Sequence, residues 1–387
     1  SHNLVRQIGI RQRSLRRHCR LGRATELVFI LATGALMTLG TAAEAQTWDG
    51  EAVGGDAGNF VIGTNWDGNV APAPGGAVVV DDGALANQPT LRGGDTSTVD
   101  TVEVSAGTLT IKGVLIATSG LTVTNSGTVI VGTTGSITGG LLGGGGDAKN
   151  NGIIDAVTSN FGTFTNAATG VVSGAMQTNG GTVVLKAGSS VGSLDNISGT
   201  TDLRGDVAGA VTVSGGAVTL NTGGDIAGSV TVSGTGTLNV NANDSVDGLT
   251  VTGGTLEGPG TLTTTTYFQN GGDMAGLVDA SGVKTLEGGV ISGTLSGAGA
   301  TTIQAGTTTI TGSIDGDVTV AANGELRIAS DIAVTGSITT TGSVINYADG
   351  VNTASALIIS SPTTDLKVLS GDAATQSGRA LFGVAWQ

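Results

Sequence analysis

Three aspartates, Asp206, Asp225 and Asp244, recur at intervals of 19 residues. If the chain coils with that period, their carboxylates stand at one corner of successive turns, about 4.8 Å apart. Oxygens so arranged could hold Ca²⁺ between turns. The Gly-Gly-x-Gly-x-Asp phrase of calcium-binding coils is absent, however, and an aspartate at a bend also accepts a neighbouring N–H. Turn formation is therefore the plainer role for all three. The tripeptide Arg204-Gly205-Asp206 spells an integrin-recognition motif. Gly224 or Asn243 precedes the aspartate in the later copies, so the repeat itself supplies Gly-Asp and only Arg204 is additional.

Other reactive residue types are scarce. His2, His18 and Cys19, the only histidines and cysteine, all lie near the N-terminus. A chain cleaved after Ala45 would have neither residue type. That would exclude histidine-based triads, catalytic thiols, thiolate zinc sites and disulfides. Glycosidases need two carboxylates at a set separation, and lyases need a base beside a cation. Acidic residues abound, but Lys186, Arg204, Lys284 and Arg327 fall in separate repeats. The expectation is a protein without catalytic residues, cofactor or binding site that the sequence can name.

The aspartates belong to a phrase spoken three times. Asp206-Val-Ala-Gly-Ala-Val-Thr-Val-Ser-Gly215 is followed by Asp225-Ile-Ala-Gly-Ser-Val-Thr-Val-Ser-Gly234 and Asp244-Ser-Val-Asp-Gly-Leu-Thr-Val-Thr-Gly253. In each copy two apolar residues flank a threonine, the alternation of a strand with one buried face. A unit this short buries its apolar side only by stacking on copies of itself. The fold expected is an all-β, right-handed parallel β-helix with coils of about 19 residues, the hand being the default for parallel crossovers. Val218 and Leu220 correspond to Leu238 and Val240 one residue late, a slip expected to be absorbed before Asp244. The 69 glycines, 3% aromatic and 12% charged residues and mean hydropathy of +0.25 suit a narrow coil better than a disordered chain. A hairpin sandwich would call for more large aromatic core residues.

Short strands are expected at 101–104, 108–111, 121–124 and 128–131, and again at 182–186, 301–303, 307–310, 318–320 and 325–328. The stretch 141–152, with four consecutive glycines, reads as a loop leaving the coil. No Gly-Lys-Ser/Thr follows it to make a phosphate cradle. Tyr267-Phe268 is the densest aromatic pair in the repeats and marks either a ligand groove or one larger coil.

Residues 1–45 read as a signal peptide with an extended basic leader. Seven arginines precede an apolar run at 27–39, and Ala43-Glu44-Ala45 fits a small-x-small cleavage site. Residues 46–100 would form an N-terminal cap and the first coils, 101–346 the β-helix, and 347–387 a C-terminal segment or linker. The net charge is −14, of which the leader's seven arginines and two glutamates contribute +5, leaving −19 for the body. So acidic a body is a poor candidate for nucleic acid or an anionic membrane, and no nucleic-acid partner is expected.

Thr47-Trp48-Asp49-Gly50, the turn Asn65-Trp66-Asp67-Gly68-Asn69-Val70-Ala71-Pro72 and the strand 77–81, followed by the Val-Thr-Val repeats, resemble the passenger domains of bacterial autotransporters. The resemblance covers roughly residues 48–346. It implies export, display at the outer-membrane surface, an adhesive role toward a host or matrix glycan or protein, and a C-terminal translocator barrel. A barrel needs at least eight strands of about ten residues, more than the segment after Tyr347 holds, so it would lie outside this chain or export would use another route. Trp48 and Trp66 are expected to cover the open end of the first coil rather than to form a sugar platform. Three functions follow as expectations: a surface-displayed structural or adhesive passenger, a polysaccharide-active β-helix enzyme, and a self-associating matrix protein, with the first preferred.

Overall fold

The computed structural model describes residues 45–328 and 333–341, together with the strands Ile345–Tyr347, Ala356–Ile359 and Leu366–Val368. The leader assigned to 1–45 lies, but for Ala45, outside the described residues. From Gln46 onward the chain winds into a parallel β-solenoid of about 14 turns, with coils of about 18 residues. All pairings between the described strands are parallel, and they continue past residue 346 into Ala356–Ile359 and Leu366–Val368.

Each coil contributes to three faces. Face A gathers strands such as Thr101–Val104, Leu121–Thr124, Val211–Val213 and Val230–Val232. Face B gathers Thr108–Ile111, Thr128–Val131, Ala217–Leu220 and Thr237–Val240. Face C gathers Val114–Ala117, Asp206–Val207, Asp225–Ile226 and Leu277–Ala280. Some strands, such as Val171–Leu185, run round all three faces of a coil without a break.

The period-two alternation builds the core. On face A, Val102, Leu121, Leu141, Val157, Met176, Leu194, Val211, Val230 and Leu249 are successive register partners, all buried. Each adds its apolar surface to a file that no single coil could bury. The interior is not wholly apolar. Asn150 and Asn166 are fully buried and stacked, with Asn150 Nδ2 donating to Asn166 Oδ1 at 2.9 Å and Asn166 Nδ2 reaching the Ser190 carbonyl at 3.1 Å. Outside the coil, Asn241 Nδ2 donates to Asn221 Oδ1 at 3.0 Å and Asn221 Nδ2 to Asp202 Oδ1 at 2.7 Å. These ladders tie turn to turn without a covalent link.

The stretch 141–152 does not leave the coil. Leu141–Gly144 pairs between Leu121–Thr124 and the strand Val157–Phe161, and Asp147–Asn150 pairs between Thr128–Val131 and Thr163–Asn166. The glycines serve the corner. Gly145 has φ 125°, and a Cβ on Gly146 would lie 2.4 Å from the Gly127 carbonyl oxygen and 2.5 Å from a Val123 methyl. Glycine composition looked like a loop because a tight corner and a flexible loop draw on the same residue.

The first coil is closed by aromatic rings. Trp48, Phe60 and Trp66 are buried, and Trp66 meets Trp48 and Phe60 edge-on at 4.9 and 5.0 Å between centroids. Trp66 Nε1 donates to the Phe60 carbonyl and Trp48 Nε1 to that of Asn87, both at 2.8 Å. The buried Asn65 fastens the same turn through the Ala52 N–H and the Asp56 and Asn59 carbonyls. These rings form a cap and present no face to a sugar.

Candidate functional site

The aspartates come first, because the repeat made them conspicuous. Asp206 and Asp225 are register partners on face C, as the repeat requires. Asp244 is not the third member of that file. Its partner in the next coil is the buried Leu262, and its carboxylate turns back to accept the Ile226 N–H at 3.0 Å and the Ser245 N–H at 2.8 Å. The slip is the reason. Val218 pairs with Leu238, 20 positions on, while Val230 pairs with Leu249, 19 positions on, so the extra residue is still being absorbed at Asp244. Burial pushes the Asp244 carboxyl up to about 6, the two N–H bonds oppose the rise, and the neighbouring Asp225 charge adds to it. Among the described residues, no three acidic, histidine or cysteine groups are placed to hold a metal ion. Arg204 folds onto Asp202, with Nε at 3.1 Å from the carboxylate, and Gly205-Asp206 is held in a corner by the Asp206 N–H bond to the Ser189 carbonyl.

Sequence spacing concealed a different assembly. Lys284 occupies the inward file of face A, where register runs Leu249, Tyr267, Lys284, Thr301, Val318. It is fully buried, and its ammonium donates to the Gly297 carbonyl at 2.7 Å and the Ser296 carbonyl at 3.3 Å. Burial lowers its affinity for the proton, while the charges of Asp279 and Asp315 raise it. A lysine in a buried file of largely apolar residues is costly unless its charge is met by such partners. Here the partners belong to a corner that opens outward.

That corner is a cleft of about 760 Å³. Asp279, Asp315, Asp317 and Thr335 line it together with the small residues Gly297, Ala298, Gly299 and Gly316. Asp279 and Ser296 are register partners, and the Asp315 N–H bonds the Leu295 carbonyl, so Asp279, Ser296 and Asp315 follow one another up the solenoid. Asp315 accepts from the Thr335 hydroxyl, and Asp317 accepts the Ser337 N–H at 2.7 Å. The result is a groove lined by acceptors, with one buried cation behind it. Residues 279, 297 and 315 lie in successive coils, with Lys284 on the strand that follows Asp279, and the register of the coils unites them.

The aromatic pair is divided by the same alternation. Tyr267 is buried, and its hydroxyl donates to Gln269 Oε1 at 2.7 Å; burial, with the Asp273 charge adding, pushes its phenol well up. Phe268 points outward on face A, half-buried. The pair is therefore one core residue and one surface residue, and it does not widen the coil.

In comparisons with known proteins, no family model matches this chain, no curated protein is significantly similar to it, and no solved structure matches it.

Proposed function

We propose that this chain is an exported, surface-displayed solenoid with a structural and adhesive role. The observation that carries the reading is the stack itself. About 14 turns present three long faces, tied by inter-coil ladders of polar side chains and closed at the first coil by a tryptophan cap. A quasi-one-dimensional rod of this kind grows by adding coils and offers an extended surface. The basic and apolar leader and the resemblance of residues 48–346 to autotransporter passengers support export. The polysaccharide-enzyme alternative gains one observation, the approach of Asp279 and Asp315 to Lys284. Against it, Lys284 is fully buried and its ammonium is committed to two carbonyls, which leaves it to hold the corner rather than to move a substrate proton.

The test is protease treatment of intact producing cells, with an antibody against the chain as readout. Loss of the chain from intact cells, with a cytoplasmic marker spared, is the expected result. Survival in intact cells with digestion only after lysis overturns surface display.

A further inference from the structure

The outward side of face A carries a file that runs through eight coils. Thr212, Thr231, Thr250, Phe268, Thr285, Thr302, Thr319 and Thr339 are successive register partners. None is charged, in a chain whose net charge is −14. Seven are threonine, which suits an exposed strand position by propensity alone. Phe268 is the exception, and it is not alone. Val283, 59% exposed, precedes Lys284 one coil further on, where its carbonyl accepts the Tyr267 N–H at 3.1 Å. The Lys284 N–H in turn bonds the Ala300 carbonyl at 3.0 Å. Thr266, Val283, Ala300 and Asp317 thus head the strands whose outward residues are Phe268, Thr285, Thr302 and Thr319. Ala300 and Asp317 also line the cleft. The apolar step and the acceptor-lined groove are therefore neighbouring parts of one surface.

From this juxtaposition we infer that Phe268 and Val283, with the adjoining cleft of Asp279, Asp315 and Asp317, form a binding site for an uncharged polysaccharide. A pyranose ring has an apolar C–H face that packs on an aromatic face, whose quadrupole is negative. Its edge carries hydroxyls that need acceptors and donors. The structure offers both in order: the aromatic and aliphatic surface, the threonine hydroxyls beside it, and the carboxylates that line the cleft. Hydroxyl-to-carboxylate hydrogen bonds are among the stronger kind. The glycine and alanine residues of the lining let a ring approach the backbone. Charge selects the class, because an acidic body with an uncharged strip repels anionic glycans and gives neutral ones no penalty. An extended peptide is a poorer fit, since it binds by adding to a sheet edge, and the backbone groups of these coils are already paired with the coils above and below. Lys284 is a positioning residue here, since its ammonium fixes the carbonyls of Ser296 and Gly297, two residues of the lining.

The inference rests on the adhesive reading and names its ligand class, yet it is measured on the purified chain without reference to where the cell places it. The chain is sedimented with insoluble cellulose, chitin, β-1,3-glucan and starch, and run by affinity electrophoresis through polygalacturonate. Retention on at least one neutral polysaccharide is expected, with an about tenfold loss in Phe268→Ala, as for removal of one stacking platform. Asp315→Asn should weaken retention severalfold, and Leu142→Ala, at an exposed position on a distant coil of the same face, should leave it unchanged. Far-ultraviolet circular dichroism verifies that each variant keeps its fold. Failure to bind all four polysaccharides, equal retention of Phe268→Ala, or a preference for polygalacturonate each overturns the inference. A chain that binds in these assays but resists protease on intact cells would refute surface display alone.

Discussion

Replacing Trp66 with alanine separates a solenoid from a globular core by where the damage appears. Trp66 is fully buried, meets two aromatic rings edge-on, and gives its indole N–H to the Phe60 carbonyl. Truncating a buried Trp to Ala costs about 3–5 kcal/mol, a range that already includes lost ring contacts. A value near 4 kcal/mol corresponds to roughly a thousandfold rise in local opening, since each 1.4 kcal/mol is about a factor of ten. In a stack of nearest-neighbour interfaces that cost falls on the coils next to the lesion and fades along the axis. Hydrogen exchange followed by mass spectrometry is the assay. Amides of Ala77–Val80 and Thr101–Val104 should lose about three decades of protection, while those of Thr301–Ile310 keep theirs. Equal loss at both ends would mean that the chain unfolds as one cooperative unit. No loss at 77–104 would mean that the rings do not close the first coil. Either result refutes the reasoning.

Three further outcomes follow from named contacts. Asp244 has a folded-state carboxyl raised to about 6 from 3.8, so the folded state holds its proton more tightly and this residue's contribution to stability grows as pH falls through 6. Between pH 7.5 and 5 the shift amounts to about 1.4 kcal/mol, halved to about 0.7 kcal/mol because the group is half-exposed; Asp244→Asn should lose that increment in paired denaturant titrations, and parallel pH profiles for the two chains would contradict the assignment. Lys284→Met removes a buried charge while filling its space, so its stability should stay within about 1–2 kcal/mol of the parent, whereas Lys284→Ala, which also leaves a void, should cost about 3 kcal/mol or more; equal losses in calorimetry would show that the ammonium and not the packing matters. Gly146→Ala places a methyl 2.4 Å from a carbonyl oxygen and should lower the thermal midpoint by several degrees, while an unchanged midpoint would show that the corner can relax.

Much of the fold was legible because stacking turns a local pattern into a global one. Strands at 101–104, 108–111, 121–124 and 128–131 fall where the apolar-polar alternation put them, and the cap at Trp48 and Trp66 follows from the need to cover an open coil. Spacing in sequence misled where coil length varies. The step from Tyr267 to Lys284 and from Lys284 to Thr301 is 17 residues, against 19 from Val211 to Val230. Asp244 shows the cost of counting: it keeps the 19-residue interval and loses the file, because one extra residue at the preceding corner shifts register by one and turns the side chain toward the other side of the wall. The cleft was hidden for another reason. Asp279, Gly297 and Asp315 stand 18 residues apart, one coil each, but no repeated phrase marks them, and Lys284 reaches the Gly297 carbonyl from the strand of face A that follows Asp279. One signal did point there. Lys284 stands where the alternation Val283-Lys284-Thr285-Leu286 puts a charge on the same side as a core leucine, and a charge at an inward position of a solenoid demands partners that an ordinary wall does not provide.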